Sequence, residues 1–138
     1  MNISILYGGT STEHKVSIQT GLAIADAINN LHNLDMVNLD KEIYNAPQLL
    51  LGTDLVFNAL HGGDGENGSI QAFLDLHHIP YTGSGSKACK IAMDKNITKL
   101  IARSININTP KWILLKRNKH SGMRLQDNQS PKFSYPYI

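Results

Sequence analysis

Three glycine-rich stretches, each placed directly after a short apolar run, constrain this chain more than any other feature. Eight of its eleven glycines fall in Gly8-Gly9, Gly62–Gly68 and Gly83–Gly85. The runs they close are Ile3–Tyr7, Asp54–Leu60 and Ile79–Thr82. A short apolar run that stops at glycine reads as a buried strand entering a tight turn. Leu34–Leu39 predicts a further strand. Between them, Ile24, Ala27, Ile28 and Leu31 recur at helical spacing, as do Ile70, Phe73, Leu74 and His77, giving two helices with one apolar face each. Strands alternating with helices predict an α/β fold with a parallel sheet covered on both faces. Ligands of such sheets bind beyond the carboxyl ends of the strands, so loops meeting there would let backbone close on a small ligand.

From Ser84 onward the pattern turns helical. Ser84 or Ser86 is placed to cap a helix through Met93, and Asp94 to cap a second with the stripe Ile97, Leu100, Ile101 and Ser104. Pro110 breaks that pattern. Trp112–Leu115 reads as strand, Lys116–Ser134 as a polar loop, and Tyr135–Ile138 as a strand with nothing after it, which predicts a chain that stops inside a longer protein.

Composition narrows the class. Hydrophobic residues make up 41% of 138 and charged residues 17%, compatible with a packed core. No apolar run reaches the roughly 18 residues of a membrane helix, and the N-terminus lacks the blocks of a signal peptide, so the expected location is cytoplasmic. One cysteine, Cys89, excludes an internal disulfide framework; its apolar neighbours Ile91 and Ala92 predict a buried, inert thiol. Residues 1–110 carry seven Lys/Arg against ten Asp/Glu, and residues 111–138 six against one. The basic residues of the tail are scattered, without the stripe or stacking aromatics of a nucleic-acid surface, and read as a solvated face.

The loops hold the candidate chemistry. Gly8-Gly9-Thr10-Ser11-Thr12-Glu13 lacks both the glycine-lysine-serine/threonine ending of a phosphate-binding Walker loop and the third glycine of the dinucleotide fingerprint. Glu13 at a helix start suits the helix dipole and also suits a substrate ammonium, and the sequence leaves both roles open. His61, at the tip of a buried strand, is followed by Asp64 and Glu66, but the spacing matches no common zinc pattern. A histidine orienting a bound carboxylate and a histidine satisfied by local backbone remain the alternatives; Asp64 and Glu66 suit turn positions. Lys95 opens a helix beyond the third loop, where its ammonium could meet a phosphate or stay solvated.

Four phrases go beyond these generic patterns: Gly8-Gly9-Thr10-Ser11-Thr12-Glu13 with Val16-Ser17, Leu60-His61-Gly62 through Gly65-Glu66-Asn67-Gly68, Pro80-Tyr81-Thr82-Gly83-Ser84-Gly85, and Met93-Asp94-Lys95. In this order and spacing, the chain resembles the N-terminal part of the D-alanine–D-alanine ligases of the ATP-grasp superfamily. The resemblance implies a Rossmann-like pre-ATP-grasp domain over residues 1–108 and the first strand of an ATP-grasp domain in 109–138. It implies an enzyme that joins two D-alanines with ATP and Mg2+ (or Mn2+) for peptidoglycan, as a homodimer, through an acyl phosphate. Glu13 would bind the ammonium of the first D-alanine, His61 would lie near its carboxylate, and Lys95 would contact ATP phosphate. Glu66 receives no role, and metal ligands would lie outside this chain, leaving it inactive alone. Lys15 departs from the family, many members of which carry an acidic residue there. D-serine or D-lactate as second substrate, and a non-catalytic small-ligand module on the same sheet, are the alternatives.

Overall fold

The computed structural model describes residues 1–39, 50–118 and 122–125, with the backbone alone for the last stretch and for 115–118. It divides into two units, Met1–Asp94 and Lys95–Ile138.

The first unit is built on a parallel sheet of β1 (Asn2–Tyr7), β2 (Asn33–Asn38) and β3 (Leu55–Asn58) in the order β2-β1-β3. The register pairs Ile3 with Leu34 and Leu55, and Leu6 with Val37 and Asn58, so all three strands run out at one edge. Period-2 alternation sends Ile3 and Ile5 to one face, where they pack with Leu34, Met36, Phe57 and Ala59 against Ile24, Ala25 and Ile28 of α1 (His14–Ile28). Leu6, Val37, Val56 and Leu60 point to the other face and meet Ile70, Phe73 and Leu74 of α2 (Ser69–Leu76). Ile5, Leu6, Val56, Ile70 and Leu74 are fully buried; each such side chain contributes about 1.5–3 kcal/mol relative to exposure. The α/β fold with helices on both faces is thus as the alternation predicts.

Ile79–Thr82 does not form the fourth strand its composition suggests. A single parallel bridge joins Tyr81 to Val56, with Val56 N–H donating to Pro80 O (2.8 Å) and Thr82 N–H to Val56 O (3.0 Å). Pro80 lacks an N–H, and Gly83 with φ +102° turns the chain away immediately afterwards.

The buried face of α1 also differs from the predicted stripe. Ala27 is exposed and Leu31 lies past the helix end at 71% exposure, whereas Ser17 and Gly21 are buried. The cause is close approach: a Cβ at Gly21 would stand 2.6 Å from Tyr7 Cβ on β1. The Ser17 hydroxyl, sealed from water, donates to Ala59 O (2.9 Å). Small residues, not large apolar ones, let this helix lie on the strand.

After the sheet, α3 (Ser86–Met93) starts from Gly85 without a side-chain cap, so neither Ser84 nor Ser86 caps it. Ser86 Oγ donates instead to Asp75 Oδ2 (2.8 Å), and Tyr81 OH donates to Asp75 Oδ1 (2.8 Å). Asp94 stands as the C-cap of α3. No residue of α3 is buried, and Cys89, expected in a core, is only half-buried, its thiol donating to Ser84 O (3.3 Å). Apolar neighbours along a two-sided exposed helix do not make a core position.

In the second unit, α4 (Lys95–Ser104) leaves its stripe Ile97, Leu100 and Ile101 about half exposed. Trp112 precedes any strand: its indole N–H donates to Asn96 Oδ1 (2.8 Å), and Lys99 and Arg103 lie 5.3 Å and 5.5 Å from its ring centroid. Within the stretch expected as loop, β4 (Leu115–Asn118) pairs antiparallel with β5 (Gly122–Leu125), Lys116 opposite Arg124. Polar residues in the paired positions hide the alternation that would announce a hairpin. Tyr135–Ile138 lies outside the described residues. Among the described residues, no helix is long and apolar enough to cross a membrane.

Asp75 ties α2 to α3, and its two hydroxyl donors, Tyr81 first and then Ser86, hold its carboxyl below the usual carboxylate range. A depressed folded-state pKa stabilises above the unfolded value of 3.8 and is lost as pH falls through the folded one. Asp75→Asn is therefore expected to lower the melting temperature at pH 7, with the gap to wild type closing below pH 3.8; a gap of the same size at both ends of the titration would contradict the ionic role.

Candidate functional site

The carboxyl edge of β1 and β3 holds a cavity of about 170 Å³ lined by the first two glycine-rich loops, from Gly8 to Ser11 and from Leu60 to Gly65. Because β1 and β3 are adjacent and parallel, the loops leave the sheet side by side, and polar contacts then fix them to each other. Ser11 Oγ donates to His61 O (2.6 Å) and accepts from Glu13 N–H (3.0 Å). His14 Nδ1 lies 2.6 Å from Gly9 O, closing the first loop onto the start of α1. The hydroxyl of Ser11 thus couples the backbone of His61 to that of Glu13.

Glu13 occupies the N-cap position of α1, with φ −96° and ψ 14°, yet its side chain makes no capping hydrogen bond. Its carboxylate turns across the loops instead: a Cβ at Gly62 would lie 2.6 Å from Glu13 Oε2. Glycine at 62 is required by φ +66°, and a side chain there would also displace the Glu13 carboxylate. The helix N-terminus still favours the ionised carboxylate electrostatically. Glu13 thus makes no side-chain cap, while its place at the helix start keeps the dipole role beside the ligand-binding one.

His61 is oriented through its ring. Nε2 lies 3.0 Å from Thr20 Oγ1 on α1, and Nδ1 lies 3.9 Å from Glu66 Oε1 across the turn. The ring and the carboxylate remain about 37% and 44% exposed, so both reach solvent and any ligand in it. Ser17 and Thr20, one and two helical turns past Glu13, make polar contacts with Ala59 O and His61 Nε2. Glu66, assigned no role by the sequence, is the residue nearest to forming an ion pair with His61. Asp64 does serve the turn, its Oδ1 accepting from Asn67 Nδ2 (3.1 Å).

The structure therefore brings Glu13 and His61 to one edge. Lys95 is the first residue of α4 in the second unit and is exposed. Among the described residues, no three His, Cys, Asp or Glu side chains converge as metal ligands. Sequence reasoning missed Ser11, His14 and Thr20; the only signal for them was their place beside Glu13 or two helical turns further along.

Comparison with known proteins bears on this edge. The family described as D-ala D-ala ligase N-terminus matches residues 38–84. The D-alanine–D-alanine ligase of Aquifex aeolicus is 43% identical over 113 residues, covering 81% of this chain and 38% of the relative. That of a Wolbachia from Brugia malayi is 40% identical over 100% of this chain and 39% of its own length. The crystal structure of the Bacillus anthracis D-alanine–D-alanine ligase complexed with ATP superposes with a TM-score of 0.77 at 30% identity, covering 94% of this chain and 49% of that one. By sequence and by fold, this chain matches the N-terminal region of the D-alanine–D-alanine ligases. It spans about two fifths of the length of the first two of these relatives.

Gly62 offers a test of the geometry. Gly62→Ala and Gly52→Ala both force alanine to positive φ, at +66° and +79°, but only the first meets a neighbour, since nothing lies within 4 Å of a Cβ at Gly52. Gly52→Ala is expected to cost about 1–2 kcal/mol by denaturant unfolding, and Gly62→Ala about 1–3 kcal/mol because its ψ of 176° lies in the region essentially reserved to glycine. Only Gly62→Ala should shift the Glu13 and His61 side-chain NMR signals; equal shifts from both would mean Glu13 does not lie against Gly62.

Proposed function

We propose that this chain supplies the first D-alanine site of an ATP-dependent D-alanine–D-alanine ligase acting in peptidoglycan synthesis. The observation that carries the reading is the Glu13 carboxylate lying against Gly62, free of a capping role, at the edge that also holds His61. A carboxylate there suits an ammonium, and an imidazole beside it suits the carboxylate of the same amino acid. The match in sequence and fold to ligases of that name supports the choice of substrate.

In this reading, one carboxylate oxygen of the first D-alanine attacks the γ-phosphorus of ATP, and ADP leaves. The amine of the second D-alanine then attacks the acyl carbon, loses a proton, and expels phosphate from the tetrahedral intermediate. A carboxylate is a poor acyl donor until its oxygen becomes phosphate, so the protein's task is to position charges. Glu13 keeps the ammonium fixed. His61, held at Nε2 by Thr20, presents its ring to the carboxylate. Lys95 contacts ATP phosphate. Magnesium, held by ligands outside the described residues, would neutralise phosphate charge on the ATP.

The same reading assigns residues 1–108 to the substrate domain and 109–138 to the start of the ATP-grasp domain. The compact units part at Asp94, so α4 stands with Trp112 in the later one. It also carries a cytoplasmic location, where ATP is made, and a homodimeric enzyme.

Glu13→Gln keeps the length and one acceptor oxygen but removes the charge. Losing a charge-assisted contact of this kind costs about 1.5–3 kcal/mol, or roughly tenfold to a hundredfold in affinity. Steady-state titration of the full-length protein should show KM for the first D-alanine raised by that factor and KM for ATP little changed. An unchanged KM for D-alanine with catalysis intact would reduce Glu13 to a helix-start residue.

A further inference from the structure

Gln71 is the most deeply buried amide side chain described, at 3% exposure in the first turn of α2. Its neighbours in sequence, Ile70, Phe73 and Leu74, build the core. Its Nε2 donates to Gly65 O at 2.7 Å, an acceptor that only the amide nitrogen can serve, and this fixes the orientation of the group. Among the described residues, Oε1 is buried and has no hydrogen-bond partner. A methionine would fill similar space without an unpaired acceptor, so packing alone favours the apolar residue.

What the amide provides is an anchor for Gly65, which is itself buried and lines the cavity. The same carbonyl accepts from Asn58 Nδ2 at 3.0 Å, and Asn58 Oδ1 in turn accepts from Leu60 N–H at 3.2 Å. Two amides, one from β3 and one from α2, therefore hold one carbonyl from behind. Gly65 closes the short 3-10 turn Gly63–Gly65, its N–H donating to Gly62 O, while Glu66 and Asn67 N–H donate to Gly63 O. That turn is the span between His61 and Glu66, whose side chains face each other at 3.9 Å. Gly65 admits no side chain to stiffen the turn from within, because a Cβ there would overlap Leu60.

We infer that Gln71 is a positioning residue for the substrate edge: by anchoring the Gly65 carbonyl it sets the turn that carries Glu66 to His61 and shapes the cavity floor beneath them. This rests on the reading of that edge as the first D-alanine site. The unpaired Oε1 marks the stability given up for that anchor.

The test uses the full-length protein. Gln71→Met is expected to melt at or above the wild-type temperature, since an unpaired buried acceptor is removed. Amide hydrogen exchange at Gly65, Glu66 and Asn67 should nonetheless accelerate about tenfold or more, as expected for a lost hydrogen bond. KM for the first D-alanine should rise about tenfold with KM for ATP unchanged. Gln71→Glu, whose buried carboxyl stays neutral and keeps an O–H donor, should preserve slow exchange in the turn. Wild-type exchange and KM in Gln71→Met would overturn the inference and leave Gln71 a filler of the core. Should Gln71→Met fail to fold, fast exchange at Gly65 in a folded Gln71→Glu would overturn it equally. The exchange measurement needs no substrate, so an unchanged KM in Glu13→Gln would sink the D-alanine reading while leaving the anchor tested on its own.

Discussion

The parallel pairing of β1 with β3 is the constraint on which the site depends. Leu6 lies beside Asn58 in the register, so both strands end together and their loops emerge at the same edge. An antiparallel pairing would send Gly8-Gly9 and Gly62–Gly65 to opposite ends, and no side chain of ordinary length would join them. With the strands parallel, one hydroxyl suffices: Ser11 bridges from the first loop to His61 O. The pairing is protected on both faces, by α1 over Ile3 and Ile5 and by α2 over Leu6 and Val56.

Glycine-rich loops expose backbone groups that need partners, and here side chains supply many of them. His14 meets Gly9 O, Ser17 meets Ala59 O, and Asn58 and Gln71 share Gly65 O. Each comes from a helix or strand, so the loops take their rigidity from the elements behind them. This is how a site made largely of glycine can hold Glu13 and His61 at fixed positions without bulky residues of its own. The cavity can then stay small and still be polar.

The alternation of strands and helices was legible because apolar runs and glycine punctuation carry it directly. Glu13 and His61 were legible as residues of one edge because the topology of a parallel sheet leaves few alternatives. The buried side of α1 was not. Period analysis counts apolar residues, and the contact with β1 is made by Ser17 and Gly21, which such counting ignores. The β4–β5 pair escaped for the related reason that its register sets charged Lys116 opposite charged Arg124. Ile79–Thr82 misled in the opposite direction: β-prone composition cannot extend a ladder past Pro80 and a glycine with positive φ. The anchoring of Gly65 by Gln71 leaves no trace in sequence spacing, since it depends on how α2 is set against the turn.

The account stands on the claim that Glu13 and His61 grip the two ends of one amino acid. The most direct measurement is a crystal structure of the protein with D-alanine bound. The account predicts its ammonium within hydrogen-bond distance, about 3 Å, of the Glu13 carboxylate and its carboxylate on the His61 side of the cavity. D-alanine bound in the reverse sense, or bound at an edge that includes neither residue, would contradict it.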